Sequence, residues 1–78
     1  MASQEAISII RNYLVEYAGP MGGFVLKKAM NDMGKEEASF PLELLPALVD
    51  RALNNAVYDP KAREELKKRI MGDLKKVM

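Results

Sequence analysis

Apolar residues recur at helical intervals in four stretches of this chain, and glycine and proline stand between the stretches. In the first, Ile7, Ile10, Leu14 and Tyr17 are spaced three, four and three apart, which is one face of a helix. Ile9, Tyr13 and Val15 widen that face, while Arg11, Asn12 and Glu16 lie off it. Ser3 suits the N-cap, and Glu5 suits the positive end of the helix dipole. Gly19 offers the left-handed residue that commonly closes a helix. The spacing predicts a first helix over about 4–17.

Pro20 fits the first turn of a second helix, where its missing N–H costs nothing. Gly22 and Gly23 follow inside that turn, and each costs about 1 kcal/mol relative to alanine. Such a pair has two readings. Glycine lets two backbones approach closely, so the second helix can cross the first at short range. Alternatively, a glycine-rich helix start can cradle an anion. No lysine-plus-hydroxyl follows at the P-loop spacing, which favours architecture. Val25, Leu26, Ala29, Met30 and Met33 continue the apolar face, and Gly34 ends it, giving a helix over 20–33. Lys35 to Ser39 reads as a polar connection with solvated charges.

Phe40 precedes a proline and is therefore expected to be extended. Pro41 can open a short turn over Leu42–Leu45, with Pro46 then starting or kinking the main third helix. Leu44/Leu45, Leu48/Val49, Ala52/Leu53 and Ala56/Val57 form apolar pairs every four residues. That wide stripe predicts the most buried helix, spanning 41–57 with a break allowed at Pro46. Asp59 and Pro60 then make a strong N-cap and N1 pair. Ala62, Leu66, Ile70, Leu74 and Val77 form a narrow stripe over 60–77, with Glu64–Lys68 and Glu65–Arg69 at the favourable i,i+4 spacing. The expected fold is all-α, a compact four-helix bundle forming a single domain over 1–78.

At 78 residues and 8.7 kDa the core of such a bundle is thin, and chains of this size often gain stability by association. The apolar faces look wider than one small bundle can cover, which points to a homodimer or another protein partner. Cysteine and histidine are both absent. Disulfides, thiolate metal sites and the commonest general base are therefore excluded, and no serine stands beside a plausible base. Neither catalysis, a metal nor a cofactor is expected. Glu36 and Glu37 are paired carboxylates, but on a polar loop with nothing apolar to raise a pKa. No apolar run is long enough to span a bilayer and no signal-peptide layout leads the chain, so the expected location is cytoplasmic.

The net charge of +1 is unevenly spread. Residues 1–60 carry five basic against eight acidic side chains, and residues 61–78 carry seven basic against three acidic. The last helix is thus a basic strip that includes Lys67, Lys68 and Arg69, although Glu64, Glu65 and Asp73 dilute it. A solvated face or an acidic protein partner accounts for that strip more simply than nucleic acid does. The aromatic residues (Tyr13, Tyr17, Phe24, Phe40 and Tyr58) lie outside that helix, and a nucleic-acid binder needs a stacking platform. Met21 and Phe24, beside the glycine pair, are the candidates for exposed apolar contacts. The candidate interaction surface is therefore Met21, Gly22, Gly23 and Phe24, with Lys67, Lys68 and Arg69 as a second patch.

The run Tyr17-Ala18-Gly19-Pro20-Met21, with Val25, Leu26 and Lys28 after it, resembles a small helical accessory domain of prokaryotic signalling proteins. In that family an aromatic-x-Gly-Pro-(Met/Ile) turn joins two helices, and an Asp-Pro pair opens the last one, as Asp59-Pro60 does with Arg63 and Leu66 here. Gly22-Gly23 departs from the small or apolar residues more usual there. The resemblance implies an accessory or protein-interaction module; with the thin core, the six methionines and the wide apolar faces, the expectation is a non-enzymatic protein–protein interaction or regulatory module that self-associates. The alternative is a nucleic-acid-binding helical domain using the basic last helix.

Overall fold

A computed structural model describes residues 4–77, and Ser3, the expected first N-cap, lies outside them. Four α-helices follow one another: α1 (Gln4–Ala18), α2 (Met21–Asp32), α3 (Leu45–Ala56) and α4 (Pro60–Leu74). Among the described residues there is no strand. α1 packs on α2 and α4, α3 packs on the same two helices, and α1 also meets α3. The result is an all-α four-helix bundle of 30 × 25 × 18 Å.

The helix boundaries follow from local chemistry. Gly19 takes φ +68° and its N–H bonds the carbonyl of Val15 at 2.8 Å, which turns the chain out of α1. Gly34 does the same for α2 at φ +68°, with Gly34 N–H on the Asn31 carbonyl at 2.9 Å and Lys35 N–H on the Met30 carbonyl at 3.0 Å. Pro20 stands one residue ahead of α2, with helical dihedrals already set. The expected break near Pro46 is present. A 3₁₀ turn over Leu42–Leu44 leads into α3, and Pro46 sits in its first turn. Asp59 caps α4 by accepting from Lys61 N–H at 3.0 Å. α4 ends at Leu74, short of the expected 77, and residues 75–77 form a turn.

One core joins all four helices. Ile7, Ile10 and Leu14 of α1 meet Leu26 and Met30 of α2, while Leu45, Leu48, Val49 and Leu53 of α3 fill the centre. Ile70 and Leu74 close it from α4. Phe40 is extended, as its place before a proline requires, and it buries its whole ring from the connection. Among the described residues the core holds no buried polar side chain. Some of the apolar surface stays outside this core: Val15, Met21, Phe24 and Leu42 are exposed. The chain exposes 4978 Å², close to the roughly 4,700 Å² of a compact monomer of this mass.

Two further expectations are corrected. The Lys35–Ser39 connection is not merely solvated: Glu37 opens a 3₁₀ turn (Glu37–Ser39) and pairs with Arg11 of α1. The Glu64–Lys68 and Glu65–Arg69 pairs do not close among the described residues. Lys67 instead reaches Asp50 of α3 at 2.7 Å, and Arg63 donates to the Asn54 side chain at 2.7 Å. The polar ties of α4 to α3 thus come from residues outside those two pairs.

Candidate functional site

The glycine pair divides. A Cβ on Gly22 would stand 2.5 Å from Leu14 C and Val15 N and 2.6 Å from Leu14 O. No real Cβ sits that near a backbone, so Gly22 is what lets α2 lie against α1. It is buried, and its place in the candidate surface is corrected: it shapes that surface from beneath. Gly23 is one residue, and about 100° of helix, further round. A Cβ there would meet nothing within 4 Å, so packing does not require glycine at this position.

Met21 and Phe24 stand outward on the same first turn, 59% and 70% exposed. Phe24, Pro20, Gly23 and Lys27 line a shallow hollow of about 210 Å³. Val15, next to the crossing point on α1, is exposed as well. Together these give the α1–α2 end of the bundle an apolar aspect.

The second patch is less uniform than its sequence suggests. Lys67 is engaged by Asp50, whereas Lys68 and Arg69 are exposed without an ion-pair partner among the described residues. The fold also brings aromatic rings to Arg69. Tyr13, Tyr17, Glu16 and Leu66 line a hollow of about 290 Å³ with it. This corrects the separation of the aromatics from the basic strip, because residues one turn apart on α1 fall beside α4. Tyr13 is fixed there by donating to Asp73 Oδ2 at 2.5 Å. That bond holds the phenol above its ordinary pKa of 10.0, since losing the proton would leave two anions in contact. Desolvation and the charge of Asp73 add to the rise, while Arg69 opposes it.

A groove of about 520 Å³ runs between α1, α2 and the α2–α3 connection. Arg11 lines it from α1, Gly23, Lys27 and Met30 from α2, and Lys35 and Glu37 from the connection. No sequence signal marked it, because Arg11 and Glu37 are 26 positions apart.

The class these features define is a small all-α bundle with hollows at its helix seams. No helix among the described residues is long and apolar enough to cross a membrane. The chain belongs to the family described as a domain of unknown function (DUF8082), whose model matches residues 5–77. No curated protein and no solved structure matches the chain.

Proposed function

We propose that this chain is a non-enzymatic protein–protein interaction or regulatory module that self-associates weakly in the cytoplasm. The observation that carries this reading is the exposure of Met21 and Phe24 on one helical turn, beside a hollow that a partner's side chain can enter. An exposed aromatic anchor next to an adaptable methionine is the composition of interface centres. The resemblance of the Tyr17–Met21 run to accessory domains of signalling proteins points the same way. The lack of histidine and cysteine supports the non-enzymatic part.

Area sets the strength. A phenylalanine offers about 150–250 Å² in full, so Phe24 leaves on the order of 150 Å² open. With Met21 and Val15 the patch reaches a few hundred Å², against the roughly 800 Å² per partner of a stable interface. A patch of that size suits weak association, and we place it in the micromolar to millimolar range. Sedimentation equilibrium over that range gives a mass rising from 8.7 kDa toward twice that value. Phe24→Ser removes the rise without lowering the melting temperature. A strict monomer throughout overturns self-association.

A nucleic-acid-binding reading of α4 is favoured by one observation, the two tyrosines beside Arg69. Stacking rings next to a guanidinium suit single-stranded substrates. Fluorescence anisotropy with a single-stranded oligonucleotide then reports binding that weakens with salt and on replacing Lys68 and Arg69. Lys67, held by Asp50, contributes less. Absence of salt-sensitive binding removes this reading.

A further inference from the structure

We infer that the groove between α1, α2 and the α2–α3 connection is a binding site for a small anionic molecule bearing a carboxylate or phosphate. Its size lies within the range of small-ligand sites. Its lining has the mixed character of such sites: Met30 supplies apolar surface, and charged groups converge from three segments. Arg11 and Glu37 neutralise each other as an ion pair and form a braced wall. Lys27 and Lys35 have no ion-pair partner among the described residues, and Glu36 alone opposes them. The groove therefore keeps one uncompensated positive charge, and two ammonium groups are free to meet an anion.

Gly23 is the second, independent observation. A glycine inside a helix is unfavourable, and the close approach that explains Gly22 is absent one residue later. What Gly23 does provide is a stretch of bare backbone in the lining of this groove. Close approach of a ligand to the backbone is a standard reason for glycine where packing gives none. The groove shares Gly23 and Lys27 with the hollow beside Phe24, but neither Met21 nor Phe24 lines it, so anion binding and self-association are read out separately.

The test is an NMR titration of the whole chain with succinate and, separately, inorganic phosphate, with ionic strength held constant by chloride. Saturable shifts of the Gly23, Lys27 and Asn31 amides are expected, and the stronger of the two anions identifies the headgroup. Gly23→Leu adds a bulky side chain to the groove lining at a position with open space. It is expected to weaken binding at least about tenfold while leaving the unfolding midpoint unchanged or higher. Lys27→Gln combined with Lys35→Gln weakens binding by a similar factor. Shifts that never saturate with either anion overturn the inference, and so does a Gly23→Leu variant that binds as the parent does.

Discussion

Helix propensity alone makes Gly22→Ala and Gly23→Ala equivalent, each gaining about 1 kcal/mol. The neighbours decide otherwise. At Gly22 the new methyl meets the Leu14 and Val15 backbone at 2.5 Å, and neither atom can rotate away. Forcing helices apart in this way costs about 1–3 kcal/mol or more, which outweighs the gain. Gly22→Ala should therefore lower the urea midpoint and Gly23→Ala should raise it. A rise in both would mean that the α1–α2 approach is not tight. Tyr13 offers a second test at this scale. Its phenol is held above pH 10.0 in the folded state, so its contribution to stability is full below that value. The contribution fades as pH climbs through the higher folded pKa. Tyr13→Phe should cost about 1 kcal/mol or less at neutral pH, and the difference from the parent should shrink in strong alkali. A constant difference across that range would show that the Asp73 bond is not what stabilises. From sequence, the glycines looked like one device, because only the register of α2 against α1 separates them. The Tyr13–Asp73 bond spans 60 positions, and no local pattern reports it.

Elements were far more legible than pairs. Gly19 and Gly34 closed their helices because glycine takes φ near +68° without strain, and that requirement is local. Phe40-Pro41 and Asp59-Pro60 were equally readable, since proline restricts its own φ and the residue before it. The tertiary reach of the Glu37 turn was not, because its ion pair with Arg11 depends on how α1 passes the connection. The same distinction yields a prediction. Asp59→Ala removes the side-chain acceptor that Lys61 N–H uses, and a lost N-cap costs about 1 kcal/mol. Asp50→Ala removes the Lys67 partner on the exposed flank of α3, and a surface pair is worth under about 1 kcal/mol. Thermal melts should therefore rank Asp59→Ala as the less stable variant. The reverse order would mean that the α3–α4 pair, rather than the cap, holds the start of α4.

Across the whole molecule the helices share the core unequally, and that inequality governs how the bundle opens. α3 buries Leu45, Leu48, Val49, Ala52 and Leu53, whereas α4 fully buries only Ile70 and Leu74. Each fully buried aliphatic side chain is worth about 1.5–3 kcal/mol, so α4 is held by several kcal/mol less than α3. Polar ties make up part of the difference: Lys67 to Asp50 and Arg63 to Asn54 on one side, Tyr13 to Asp73 on the other. Such ties are worth little each where solvent competes. α4 should thus detach before the other three helices separate, since local opening begins where apolar contact is thinnest. Native-state hydrogen exchange should show the lowest protection in α4 and the highest in α3 and the buried turns of α1. Leu74→Ala should widen that gap, because it removes one of the two anchors of α4 and costs about 2–5 kcal/mol. Equal protection in all four helices would mean that the domain opens as one unit, and the polar ties would then be stronger than surface pairs usually are. If α4 does open first, the basic strip sits on the element most easily released from the acidic body. A partner that binds the strip on the docked helix would then slow exchange in α4 selectively, in proportion to its affinity.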